Sequence, residues 1–370
     1  MFSPEELHRY SKQLKLPEWN IQEQSKLASS TILVVGAGGL ACGALPYLVS
    51  AGIGKIILID GDSIDLSNLA RQVLYSTHEV GQKKVKIALE KMSKLNPHCD
   101  LEGIEKNLTR ENADELIAAV DLVVDCTDNF ATRYLINDTC LRYDKPFVYA
   151  AIHSWEGLIS LCNGDVFGED RKGPTYRCFF PEEPGLDEIP NCDDAGVLGF
   201  LPGMMGIMQA KEAIYYLVAW ASPANGALGR FDANEFSMRF FKMNRSANAE
   251  KFGERPDEVN WEMVHDVDPD VASEWLKDGK LDYILDVREP EEFELASIPG
   301  AIQLSMGEVL NKVSLLPTGK KGLVLCHHGM RSAYVIKQLQ KHFQTPNLFN
   351  LKGGIDAWSI HVDENVPRYY

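Results

Sequence analysis

Thr31-Ile32-Leu33-Val34-Val35-Gly36-Ala37-Gly38-Gly39-Leu40-Ala41 decides how this chain is read. The first five residues form an unbroken apolar run, which marks a buried strand. Gly36, Gly38 and Gly39 then satisfy G-x-G-x-x-[GA], and residues 40–50 read as a helix. Glycines there let the backbone turn tightly and approach a phosphate, which the helix N-terminus favours. Asp60 stands 24 residues after Gly36, at the end of a second β-branched run, 55–60, where a carboxylate accepts ribose hydroxyls. Outward from this stretch the pattern repeats: a helix from Val85 to Pro97, a strand at 121–126, a helix at 131–143, a strand at 146–151. Strands alternating with helices predict an α/β fold with a mainly parallel sheet, its ligands at the carboxyl ends of the strands.

The 370 residues have room for two domains. Apolar residues are 45% and charged residues 24%, which excludes a disordered chain. The net charge of −16 repels phosphate backbones and argues against nucleic acid as a partner. Eight cysteines, at 42, 99, 126, 140, 162, 178, 192 and 326, form no C-x-x-C pair. The first fifteen residues are polar, and the most apolar stretch, 197–220, carries Pro202, Gln209, Lys211 and Glu212, so it reads as a buried helix rather than a membrane span. The expectation is a cytoplasmic protein with reduced thiols and no membrane contact.

Composition shifts near residue 245. Residues 1–245 are taken as the first domain, 246–267 as a linker, and 268–370 as a second, smaller α/β domain with strands at 282–287, 322–326 and 347–351 and a helix at 331–342.

A glycine loop followed by an acid also fits a nicotinamide-dependent dehydrogenase. The next residues fit phosphate chemistry better. Asn68, Arg71 and Gln72 follow Asp60, and Lys84 opens a helix after Gly81. Arg and Lys neutralise a triphosphate undergoing substitution. Asp128 follows a strand and is placed to hold Mg²⁺. Plainer roles exist: Lys84 as a solvated helix charge, Asp128 as a helix cap. With the glycine loop, the set reads as ATP chemistry.

At this point the chain resembles the MoeB/ThiF/HesA family of ubiquitin-activating-type adenylyltransferases over residues 9–245. The matching pieces are Arg9-Tyr10-Ser11-Lys12-Gln13, the loop 36–41, Asp60 through Gln72, Gly81–Val85, Thr127-Asp128-Asn129 and Asn191-Cys192-Asp193-Asp194-Ala195-Gly196. The resemblance implies a Rossmann-like domain that adenylates the C-terminal glycine of a ubiquitin-like sulfur carrier ending in Gly-Gly. It implies that Asp60 holds the ribose, that Asn68, Arg71 and Lys84 contact the phosphates, and that Asp128 holds magnesium. Lys12 takes the place of an arginine that reaches the phosphates from the other subunit of a homodimer, whose interface includes the apolar helix after Cys192. In relatives fused to a rhodanese domain, the cysteine corresponding to Cys192 is a nucleophile; its neighbours Asp193 and Asp194 work against that role. Many relatives bind a structural zinc through two C-x-x-C pairs. Here only Cys178 survives, so no structural zinc is expected, and packing around Phe252 is expected instead.

Cys326-His327-His328-Gly329-Met330-Arg331-Ser332 follows a strand and opens a helix, a nest suited to a thiolate or persulfide. With Asp286-Val287-Arg288-Glu289, Ile298-Pro299-Gly300-Ala301 and Lys352-Gly353-Gly354, it resembles the rhodanese domain. The combined reading is an adenylyltransferase and sulfurtransferase. ATP with Mg²⁺ activates a MoaD- or ThiS-like carrier, a donor such as a cysteine desulfurase loads Cys326, and the persulfide attacks the acyl-adenylate. Adenylation of another carboxylate, on a peptide or a tRNA, remains the alternative, as does a non-catalytic module.

Overall fold

The apolar run 31–35 is β1 (Thr31–Val35), near the middle of an eight-stranded sheet. It is flanked by parallel neighbours on both sides, so nearly every residue in it is buried. The computed structural model describes residues 2–181, 196–246, 264–309, 312–317, 319–343 and 347–369. The chain divides into two compact units, one formed mainly by the residues up to Arg255 and one mainly by those from Pro256 onward.

In the first unit β1 is joined by β2 (Lys55–Ile59), β3 (Asp100–Ile104), β4 (Leu122–Asp125), β5 (Phe147–His153), β6 (Glu156–Cys162), β7 (Ala227–Asp232) and β8 (Ser237–Lys242). The order is β3-β2-β1-β4-β5-β6-β7-β8. Pairs from β3 to β5 are parallel, and pairs from β5 to β8 are antiparallel. Alternate residues of β1 serve two cores. Ile32 and Val34 pack with the helices Gly39–Ala51 and Phe200–Leu217, while Leu33 and Val35 pack on the other face with Tyr134 and Ile136 of the helix Phe130–Arg142. Each fully buried aliphatic side chain of this kind contributes about 1.5–3 kcal/mol.

The apolar stretch 197–220 yields the helix Phe200–Leu217. It meets Gly39–Ala51 backbone to backbone. A Cβ on Gly206 would lie 2.0 Å from the Leu40 carbonyl oxygen, and one on Gly43 would lie 2.3 Å from that of Gly203. The helix is not buried all round as expected. Leu201, Met205, Gln209 and Ala213 face the core, but Phe200 and Ile207 are exposed. No helix among the described residues is long and apolar enough to cross a membrane.

The second unit has five parallel strands, β9 (His265–Val267), β10 (Tyr283–Asp286), β11 (Ile302–Gln303), β12 (Gly322–Leu325) and β13 (Leu348–Leu351), in the order β11-β10-β12-β13-β9. β9 falls inside the stretch read as linker; residues 247–263 of that stretch, Phe252 included, lie outside the described residues. A buried ion pair, Arg288 with Asp286, sits at the end of β10, both side chains fully inaccessible. Arg288 also donates to the carbonyls of Glu292 and Ala296, so its charge is saturated and not merely paired.

Candidate functional site

The strand order reverses between β1 and β4, so the loops leaving these two strands diverge and form a crevice. Gly36 sits at φ +93°, and a Cβ there would lie 2.8 Å from the Cys126 carbonyl oxygen, so only glycine fits where the two loops meet. Gly38 caps the helix Gly39–Ala51 without a side chain, leaving the helix N-terminus open to an anion. Asp60, just past β2, takes the Ala37 amide on Oδ2 at 2.6 Å and the Asp62 amide on Oδ1 at 2.7 Å. Burial pushes its pKa above the usual carboxylate value, against the pull of those two amides.

Lys84 is the first residue of the helix Lys84–Leu95 and is 5% exposed. It is therefore no solvated helix charge. Its Nζ bonds Asp62 Oδ2 at 2.9 Å, beside Asp60. Gln72 is buried; its Nε2 lies 3.7 Å from the Cβ position of Gly38, and its Oε1 has no hydrogen-bond partner among the described residues. Asn68 ends the turn Leu66–Asn68, and Arg71, just after it, donates to the Ser67 carbonyl at 3.3 Å.

Asp128 is exposed beyond β4 and does not cap the following helix. Asn129 does so, accepting the Thr132 amide at 2.9 Å. Beneath it, buried Asp125 takes the Thr127 amide at 3.0 Å and its hydroxyl at 2.6 Å, while Arg133 donates to the Thr127 carbonyl at 2.9 Å. Burial raises the Asp125 pKa, and the Arg133 charge opposes that rise. Every polar group of Thr127 is thus fixed, which sets the backbone that presents Asp128.

In the second unit Cys326 follows β12, the central strand, and is 1% exposed. Its sulfur accepts the Gly329 amide at 3.1 Å and the Ser332 hydroxyl at 3.4 Å. Gly329 has φ +90° and Gly354 φ +61°. The Gly354 backbone passes so close that a Cβ would lie 2.2 Å from the His327 carbonyl oxygen and 2.3 Å from that of Cys326. The amides of Ile355 and Asp356 hold those same carbonyls at 2.9 and 3.2 Å. The Arg331 guanidinium makes a two-pronged pair with Glu292, both bonds 2.6 Å, and the Cys326 sulfur also favours its charged form. Burial works to raise the Glu292 pKa, but Arg331 outweighs it, and the value falls to about 2.

Residues 10–251 match the ThiF family. The chain belongs to the ThiF family. Residues 268–361 match the rhodanese-like domain. The "Adenylyltransferase and sulfurtransferase MOCS3" of Drosophila grimshawi is 34% identical over 395 residues, covering 99% of this chain and 87% of the relative. MOCS3-1 of Drosophila pseudoobscura pseudoobscura is 34% identical over 393 residues, covering 99% and 86%. Among solved structures, E. coli MccB with MccA-N7isoASN has a TM-score of 0.58 at 22% identity, covering 68% of this chain and 76% of that one. PaaA has a TM-score of 0.54 at 21% identity, covering 66% and 75%. These two share the fold. Membership of the ThiF family brings ATP use with it.

Within the ThiF unit the structure brings Gly36, Gly38, Gly39, Asp60, Gln72 and Lys84 together around the ends of β1 and β2. Lys12 is exposed next to the short turn Gln13–Lys15. Cys192 lies outside the described residues. The Cys178 sulfur accepts the amides of Thr175 at 3.3 Å and Ser246 at 3.2 Å. Sequence reasoning missed Arg133, whose charge in a helix pattern gives no sign of burial. It placed Ser332 in the loop but missed Asn350, which the Ser332 hydroxyl reaches at 2.6 Å and which links it to Asp266.

Proposed function

We propose that this chain adenylates the C-terminal glycine of a ubiquitin-like sulfur carrier with ATP and then converts it to a thiocarboxylate with sulfur held on Cys326. The observation that carries the reading is the presence, on one chain, of an open helix N-terminus beside Asp60 and Lys84 and of a cysteine cradled by an amide and a hydroxyl at the end of a central strand.

Asp60 binds the ribose, Asn68, Arg71, Gln72 and Lys84 bind the phosphates, and the glycine loop admits the backbone to them. Asp128 fits a magnesium ion, because its carboxylate is exposed and Asn129 has taken over the cap. That ion supplies charge neutralisation at the phosphates. A carrier carboxylate oxygen attacks the α-phosphorus, the bond to the β-phosphate breaks, and pyrophosphate leaves. The terminal sulfur of the Cys326 persulfide attacks the acyl carbon and AMP leaves. The Cys192 thiolate then attacks the Cys326 sulfur of the acyl disulfide; the thiocarboxylate departs, and a Cys192–Cys326 disulfide remains for an external thiol to reduce. Tethering both centres to one chain raises their effective concentration. A cysteine desulfurase is the natural class of donor. The exposed Phe200 and Ile207 support a homodimer through that helix, with Lys12 reaching the partner's phosphates. The unpaired cysteines among the described residues fit a cytoplasmic setting. A net charge of −16 weighs against a tRNA substrate.

The test is incubation with ATP, Mg²⁺, thiosulfate and a Gly-Gly-tailed carrier, followed by intact mass. The carrier gains the difference between one sulfur and one oxygen. Absence of both pyrophosphate and the mass gain with every such carrier refutes the reading.

A further inference from the structure

Nothing in this chemistry uses Tyr369, yet it is fastened to the loop that holds the sulfur. It follows the helix Gly354–His361 and returns to lie over His327, ring centroids 4.4 Å apart and planes 7° apart. His328 stacks on the same imidazole at 4.1 Å. The Tyr369 hydroxyl accepts from Arg288 Nη1 at 2.6 Å and donates to Glu292 Oε1 at 3.2 Å. Arg288 is fully buried and held by Asp286, so the ring is anchored to one of the most rigid groups of the unit. Glu292 in turn grips Arg331. One side chain therefore touches both ends of the segment 327–331, directly at His327 and through Glu292 at Arg331.

We propose that Tyr369 is a positioning residue for sulfur transfer: its ring, anchored by Arg288 and Glu292, seats the His327 imidazole and with it the loop around Cys326. This rests on the reading of Cys326 as the persulfide site. The seat has a titratable signature. Burial lowers the His327 pKa most, and His328 and Arg331 act in the same direction, while Asp356 and Glu292 favour the imidazolium. Removing the Tyr369 ring admits water to one face of His327 and weakens the largest of these effects, so the midpoint rises.

The full chain is assayed with thiosulfate as donor and cyanide as acceptor. The Cys326 thiolate attacks the outer sulfur of thiosulfate, the S–S bond breaks, and sulfite leaves with the electron pair. Cyanide then takes the terminal sulfur as thiocyanate and restores the thiolate. Tyr369→Leu is expected to lower kcat/KM about tenfold through misplacement of the loop. The same variant raises the His327 midpoint, followed by NMR, by about half a unit. Tyr369→Phe keeps the stack, so its midpoint stays with the wild type and its rate loss is smaller. Tyr369→Leu at wild-type rate overturns the proposal, as does a rate loss with an unmoved His327 midpoint, which marks general destabilisation. A wild type that makes no thiocyanate refutes the persulfide reading instead; the NMR midpoints then still score the seating of His327.

Discussion

Replacing Gly354 with alanine tests whether the Cys326 loop is held by backbone contact. Two costs apply. At φ +61° a side chain is strained, by about 1–2 kcal/mol. The added Cβ also starts 2.2 Å from the His327 oxygen and 2.3 Å from the Cys326 oxygen, and neither is the end of a flexible side chain. Ordinary contact demands a shift of about 1 Å. Such a shift breaks the bonds from the Ile355 and Asp356 amides to those carbonyls, worth about 0.5–1.5 kcal/mol each. The combined loss is about 3 kcal/mol, two to three times the strain alone. Gly279→Ala is the internal control. Gly279 has φ +68° with nothing within 4 Å of its Cβ position, so it carries the strain and no clash. Unfolding of the second unit, followed by fluorescence in denaturant, should therefore rank Gly354→Ala well below Gly279→Ala. Thiosulfate:cyanide turnover should fall about a hundredfold in the first, the effect of a 1 Å displacement at a reacting centre, and stay near wild type in the second. Equal unfolding midpoints, or undiminished turnover in Gly354→Ala, would show that the loop does not depend on this contact.

Three further outcomes are expected. Asp128→Asn should abolish ATP–pyrophosphate exchange while leaving the melting temperature unchanged, because the carboxylate is exposed and caps nothing; retained exchange removes it from the site. Lys84→Met should weaken ATP binding by about tenfold or more, the loss of a charge-assisted contact, read by equilibrium binding of the nucleotide. Glu292, with a pKa near 2 against an ordinary 4.5, stabilises the folded second unit in full above pH 4.5 and less and less as pH falls towards 2. In Glu292→Gln that acid-side slope should shrink, and denaturation curves between pH 6 and 3 that superpose on the wild type would refute the Arg331 pairing.

How much of this was legible in the sequence follows from the range of each interaction. The glycine loop and its strand and helix announce themselves within eleven residues, and Asp60 by its offset from Gly36. The antiparallel extension β6–β8 went unread, because runs such as Ser237–Lys242 lack strict alternation and are largely exposed. β3 was missed for a related reason: Asp100 and Glu102 are exposed, and Gly103 brings no side chain to the face that Val85 and Leu89 cover. Lys84 was visible as a charge, but its burial was not, since that depends on Asp62 from a different loop. Arg331 was visible as part of the loop after Cys326, but its partner Glu292, 39 positions away, was not, because spacing does not reveal it. Tyr369 is farther still, 77 positions from Glu292.

On the proposed reading, the near-complete enclosure of Cys326 separates the holder from what it holds. On that reading a sulfur added to it stands about 2 Å beyond the protein's own sulfur along the new bond, and the protein's sulfur stays enclosed behind it. Peroxides and alkylating agents then meet an empty enzyme slowly and a charged one at its cargo. Damage then falls first on the outer sulfur, and a thiol that cleaves the S–S bond carries it away and restores the Cys326 thiolate for the next loading.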